Sequence, residues 1–158
     1  VTPDAPEPTV RALRGADRDV WQRLWDGYLT FYEQDVDAET TDVTFQRLVD
    51  PGIAVQQGFV VEFEGAVLGF AHVLVHPSTW SIAHDCYLED LFVDPSSRRS
   101  GLGRALIEHL RELAADSGWG ELHWLTDTDN ATARRLYDAV GSLEDQVRYT
   151  ATPTAPPD

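Results

Sequence analysis

The stretch "YLEDLFVDPSSRRSGLGRALIEHL", residues 87–110, decides how the fold is read. Its first seven residues have the apolar and aromatic makeup of a buried strand, and Asp94 and Pro95 stop it. Arg98 and Arg99 then lead into Ser100, Gly101, Leu102, Gly103 and Arg104. From there Leu102, Ala105, Leu106, Leu110, Leu113 and Ala114 recur on one helix face, which Gly118 can close. A strand, a glycine turn and a helix in this order aim the free N–H groups of the helix start at the turn. With arginine charge beside it, such a turn can cradle a phosphate or pyrophosphate, although a plain tight turn has the same spacing. The anomaly is the pair of carboxylates, Glu89 and Asp90, inside the strand. Strand alternation predicts Tyr87, Glu89, Leu91 and Val93 on one face and Cys86, Leu88, Asp90 and Phe92 on the other, so the two acids serve different purposes.

Upstream, "VRAL" reads as a short strand. Val20, Trp21, Leu24, Trp25, Tyr28, Leu29 and Tyr32 then recur at helical spacing behind the N-cap candidate Asp17. "DVTFQRLVD" fits a second helix closed by Pro51, and "GFVVEFEGAVLGFAHVLVHP" is two strands joined across "EGA". Downstream, "ELHWLT" is a strand, and Asn130 caps a helix carrying Ala133, Leu136, Tyr137 and Val140. "DQVRYTA" is expected to finish as a strand. The order β-α-α-β-β-β-α-β-α-β has no repeat and one parallel crossover, which predicts an α/β fold: a mixed, mostly antiparallel sheet with helices on both faces. Proline-rich ends read as loose tails over residues 1–9 and 151–158, leaving one domain over 10–150.

With 158 residues and 42% hydrophobic content the chain can bury one sizeable core. No apolar run approaches the ~18 residues of a membrane span and no signal peptide is visible, so a soluble, cytoplasmic protein without a membrane partner is expected. Cys86 is the single cysteine, which excludes an intrachain disulfide and a cysteine-rich zinc site. The five histidines lack metal-ligand spacing, so no metal is expected. There are 27 acids against 12 bases, all of them arginine, for a net charge of -15, which argues against nucleic acid as a partner. The acidity fits either attraction of cationic substrates or a generally acidic surface.

The turn is a poor dinucleotide fingerprint. Leu106 takes the place of the third glycine, and the following strand ends on Thr126 and not on an acid. No Gly-Lys-Ser/Thr follows, which excludes a P-loop. Arg98-x-x-Gly101-x-Gly103 after a strand instead resembles the acyl-CoA pyrophosphate motif of the GCN5-related N-acetyltransferase (GNAT) superfamily. "YLEDLFV" and "WLTDTDNATARRLYDAVG" are similar to its polyamine-acetylating and D-amino-acid-acetylating members, and the element order matches over about residues 10–150. The resemblance implies acetyl transfer from acetyl-CoA to a primary amine of a small molecule (polyamine, diamine or amino acid). It implies Glu89 as the base, acting through water, and Tyr137 as the acid that protonates the leaving thiolate. It further implies that Leu91, Phe92, Val93, Arg98, Arg99, Ser100, Gly101, Leu102, Gly103, Arg104, Asn130 and Arg134 hold the coenzyme.

The residues alone leave Tyr137 open between that role and a place on the apolar face with Leu136 and Val140. Asp90 is then expected to be structural, bonded to backbone or to an arginine. The loop with His76, Ser78 and Trp80 is either a substrate entrance or an ordinary surface loop. Arg148 is a candidate partner for a substrate carboxylate. The alternatives in function are a protein-directed acetyltransferase and a non-catalytic acyl-CoA-binding module. The aromatic helix has enough apolar surface for a homodimer.

Overall fold

The computed structural model describes residues 6–98 and 100–154; Arg99 and the outermost residues of both expected tails lie outside the described residues. Five strands form one sheet in sequence order: β1 (Thr9–Ala12), β2 (Gln56–Phe63), β3 (Ala66–Pro77), β4 (His84–Val93) and β5 (Leu122–Trp124). The first three pairings are antiparallel and β4–β5 is parallel, the expected mixed sheet. The β2–β3 hairpin turns on Glu64 (φ 50°) and Gly65 (φ 81°). Positive φ at both central residues matches the right-handed twist of the flanking strands.

Each face of the sheet carries its own core. On one side pack α1 (Arg18–Phe31) and α2 (Ala38–Val49). Trp21, Leu24 and Trp25 of α1 and Phe45 and Leu48 of α2 are buried there against Val60, Phe70 and Phe92. On the other side α3 (Leu102–Ser117) buries Leu102, Leu106, Ile107 and Leu110 against Phe59, Val61, Ala71, Val73, Cys86 and Leu88. Helix α4 (Ala131–Val140) adds Leu136, Tyr137 and Val140 to that second core. The alternation Phe59, Val60, Val61 between the two cores is the period-2 signature of a strand covered on both faces. Helix α2 starts four residues before the expected Asp42, because the Asp37 carboxylate accepts from the Thr40 N–H and supplies a better cap. Asp17 stands at the N-cap of α1, but its carboxylate is taken by the Arg11 guanidinium at 2.7 and 2.9 Å and by the Arg14 N–H at 2.8 Å.

Two expectations are overturned. The first is the terminal strand: residues 141–154 are exposed and form no ladder, with Val147 78% and Tyr149 89% exposed. β-branched and aromatic residues need a partner strand, and β5 offers an edge of only three residues. The second is the alternation in β4. His72 pairs with Asp90 and Val73 with Leu88, so Glu89 is an extra residue, a β-bulge, with no partner on β3. Cys86 and Leu88 face α3 and so do Leu91 and Val93, whereas Phe92 is in the α1 core. The one-residue insertion resets the faces, and Asp90 therefore does not share a side with Cys86 and Leu88.

Candidate functional site

The bulge falls where the sheet opens. β5 pairs with Cys86, Tyr87 and Leu88 of β4 and stops, so among the described residues β4 has no neighbour on that side from Glu89 to Val93. The backbone of Leu91 and Val93 lies along this opening, while the Phe92 ring is committed to the core. Immediately beyond, Asp94 accepts from the Ser96 N–H and binds Arg23 at 2.8 Å, which fixes the exit of the strand.

The chain then enters the glycine turn. Gly101 caps α3 in the left-handed conformation (φ 75°), and a Cβ there would meet nothing within 4 Å, so the turn faces open space. Gly103 has a different task. A Cβ on Gly103 would stand 3.1 Å from Leu136, so this glycine lets α3 approach α4 closely. Ser100 and Arg98 are exposed at the turn, and the Arg98 guanidinium lies 5.5 Å from the centre of the Phe31 ring. Arg104 is exposed and 3.5 Å from Glu108, and Leu102 is wholly core. The two glycines therefore predict different failures. Gly101→Asn, which tolerates the left-handed conformation, should lose affinity for an anion at the turn with little change in melting temperature. Gly103→Val should lower the melting temperature first, by wedging α3 from α4. Calorimetry alongside coenzyme titration distinguishes them.

Across the opening, Asn130 Oδ1 caps α4 by accepting from the Ala133 N–H at 3.3 Å, and Arg134 is pinned to the Thr128 carbonyl at 2.7 Å. Tyr137 packs edge-on to Trp124, with ring centres 5.5 Å apart. Its hydroxyl makes no hydrogen bond among the described residues. Burial pushes its pKa up to about 12, with the Tyr32 hydroxyl adding to the effect. The phenol therefore keeps its proton throughout the neutral range. Tyr32, at the C-cap of α1, is itself raised by burial, by Asp127 and by Asp90, so it links the two banks of the opening. Phe31, Tyr32, Glu33, Asp127, Asp129, Asn130, Ala131 and Thr132 line a cleft of about 450 Å³.

Glu89 is exposed at the bulge, yet the protein around its carboxyl raises its pKa, by desolvation first and by the neighbouring Asp90 second; His72 and then Arg148 oppose this. Among the described residues Asp90 is bonded neither to backbone nor to an arginine, contrary to expectation. It accepts from the Tyr28 hydroxyl at 2.6 Å and from His72 Nδ1 at 2.9 Å. Sequence reasoning treated Tyr28, Tyr32 and Trp21 as parts of an apolar face and gave His72 no task. The available signal was the choice of Tyr over Phe at two positions four apart, each placing a polar tip at the core's edge. The loop holding His76, Ser78 and Trp80 lines a separate pocket with Asp85, Gly120 and Glu121. That pocket lies near the start of β4, its Asp85 about 13 Å of strand from Glu89. Among the described residues no group of three or more potential metal ligands occurs, and no helix is long and apolar enough to cross a membrane.

Comparison with known proteins gives this geometry its context. Residues 20–141 match the model of the acetyltransferase (GNAT) family. The chain is 33% identical over 141 residues to the D-amino-acid N-acetyltransferase HPA3 of Saccharomyces cerevisiae, covering 89% of this chain and 88% of that one. A thialysine N-epsilon-acetyltransferase of Caenorhabditis elegans is 43% identical over 63 residues, 40% of this chain and 39% of its own. Among solved structures, AAC(6')-Iy in complex with a bisubstrate analogue of CoA superposes with a TM-score of 0.81 at 16% identity, over 94% of this chain and 99% of its own. The family match over most of the chain and the yeast relative over nearly all of it agree with the opened sheet, and the chain belongs to the acetyltransferase (GNAT) family of acetyl-transferring enzymes.

Proposed function

We propose that this acetyltransferase moves an acetyl group from acetyl-CoA to the primary amine of a small molecule, a polyamine, diamine or amino acid. Three features around the unpaired β4 edge support the reading: the free Gly101 turn that follows β4, the bulged Glu89 within it, and Tyr137, which keeps its proton, on the helix that follows β5. The turn and the α3 N-terminus suit a pyrophosphate, with Arg98, Ser100 and Arg104 around it. The unpaired β4 edge at Leu91 and Val93 suits the amides of an extended pantetheine arm, the way an added strand pairs with a sheet edge. Asn130 and Arg134 close the far side.

Acetyl transfer requires the amine to lose its proton before or during attack, the thioester oxygen to find a donor, and the thiolate to be protonated. Glu89 can take the amine's proton through water, and its raised pKa makes it a better acceptor than an ordinary carboxylate. Tyr137 can supply the proton to sulfur. The dipole that favours this transfer is that of α3, whose N-terminus meets α4 at Leu136, because Tyr137 itself lies in the last turn of α4.

The acceptor side has two electrostatic features. Glu33, Asp127 and Asp129 rim the cleft and favour a cationic amine over one bearing a second negative charge. Arg148 opposes them: its charge reaches Glu89 and Tyr87, and no carboxylate lies within 4 Å of it among the described residues. An amino-acid acceptor could place its carboxylate there, a reading favoured by the likeness to the yeast D-amino-acid enzyme. Thiol release from acetyl-CoA, measured with a diamine, neutral D- and L-amino acids and an acidic amino acid at low and high salt, tests both. A preference for the diamine that fades with salt supports the acidic rim. A salt-insensitive preference for amino acids, lost in Arg148→Ala, selects Arg148. No release with any amine defeats the proposal.

A further inference from the structure

Four polar side chains run in series through the otherwise apolar core beneath the bulge. Trp21 Nε1 donates to His72 Nε2 at 2.9 Å, His72 Nδ1 bonds Asp90 Oδ2 at 2.9 Å, and the Tyr28 hydroxyl donates to Asp90 Oδ1 at 2.6 Å. Trp21 is wholly buried, and the side chains of His72 and Asp90 are 3% and 14% exposed. The protonation pattern follows from which groups can donate. An indole nitrogen only donates, so His72 Nε2 must be the unprotonated acceptor. His72 Nδ1 then carries the proton and donates it to Asp90, which makes His72 neutral. Both oxygens of Asp90 accept, so neither carries a proton and Asp90 is an anion. One tryptophan at the far end of the chain thus fixes the direction of both histidine bonds.

We infer that Trp21, His72, Asp90 and Tyr28 form a positioning network that pins the β4 bulge and holds a fixed negative charge beside Glu89, tuning Glu89 as a proton acceptor. Pinning follows from the register. His72 is the β3 partner of Asp90, the residue right after the bulge, so the bond between their side chains locks the pairing that excludes Glu89 from the ladder. A slip of β4 by one residue would take Asp90 away from both His72 and Tyr28 and break two bonds at once. Tuning follows from charge. The groups facing Glu89 are Asp90 and Tyr87 on its own strand, His72 on β3, Tyr28 on α1 and Arg148 on the C-terminal segment. Tyr32 on α1 faces Asp90. Two groups oppose Asp90 at Glu89, His72 and Arg148; the hydrogen bonds hold His72 neutral, so Asp90 and Arg148 are the two full charges acting on Glu89, with opposite signs.

This inference rests on the reading of Glu89 as the base, and the test separates the two. The carboxyl carbon of Glu89 is titrated by NMR in isotope-labelled free protein, in wild type, Asp90→Asn and Tyr28→Phe, with Glu89→Gln to assign the signal. Asp90→Asn keeps the shape, can still accept from His72 and meet Tyr28, and removes only the charge. The Glu89 midpoint should move to lower pH in Asp90→Asn and remain near wild type in Tyr28→Phe, which keeps the anion. The acid limb of kcat/KM should move in the same direction. A Glu89 midpoint unchanged in a folded Asp90→Asn overturns the network whatever the activity. If Asp90→Asn does not fold, Arg148→Ala provides the same test with the opposite sign: a midpoint that fails to rise overturns the two-charge account. A midpoint that moves while the rate profile does not upholds the tuning and overturns Glu89 as base.

Discussion

Replacing Tyr137 by phenylalanine is expected to lower kcat by about 10²- to 10⁴-fold and to leave coenzyme affinity close to wild type. The ring packs on Trp124 and into the α3 core, and phenylalanine retains that contact. Only the hydroxyl is lost, and among the described residues it has no partner whose bond would be broken. With its pKa at about 12, Tyr137 stays protonated far above neutral pH, so the fall should be uniform from pH 6 to 9. Single-turnover kinetics with saturating acetyl-CoA gives the rate, and equilibrium titration gives the affinity. Wild-type turnover in the variant would return Tyr137 to the apolar face.

The second large effect concerns Glu89. Glu89→Gln should reduce kcat/KM by about 10²-fold or more at neutral pH and abolish the acid limb of the profile. In wild type that limb should lie above the ordinary glutamate range, because desolvation and Asp90 both raise the pKa. The stability consequence has the opposite sign. For a carboxyl whose folded pKa is raised, the stabilising contribution is complete below the unfolded pKa and is lost as pH rises through the folded one. At pH 7 the ionised Glu89 is therefore a burden on the fold, and the glutamine variant should melt no lower than wild type. A variant that both melts lower and retains the acid limb would show that Glu89 is a structural group.

Most of the architecture was legible because it rests on local rules. The glycine stop at Gly118, the Asn130 cap, the hairpin at Glu64–Gly65 and the one parallel crossover all follow from residue chemistry within a few positions. What escaped were features set by pairing between distant strands. Nothing inside "YLEDLFV" marks Glu89 as an extra residue; the bulge exists only in the register against His72 and Val73. The assignment of Asp90 failed for the same reason, since its partners lie 62 and 18 residues away on other elements. In "DQVRYTA" the local rule held and the tertiary condition did not: residues suited to a strand lack an edge long enough to hold them. The strand, glycine turn and helix followed from the residues of the turn itself, whereas the close approach of Gly103 to Leu136 depends on how α4 packs and left no mark in the turn.

For enzyme engineering, the way the proposed acceptor cleft is built separates what can be varied from what cannot. Phe31, Tyr32 and Glu33 leave the end of α1, Asp127 and Asp129 lie between β5 and α4, and Asn130, Ala131 and Thr132 open α4. None belongs to the fully buried cores, so a combinatorial library over Glu33, Asp127 and Asp129 should cost on the order of 0.5 kcal/mol per position. Glu33 sits at φ 51°, where glycine or asparagine is the easier residue, so even a change that removes its charge can gain stability. The bulge and its buried network lie one layer below and would pass through such a library unaltered. With the acceptor in this cleft as proposed, acceptor preference is the trait the scaffold can most readily exchange under selection.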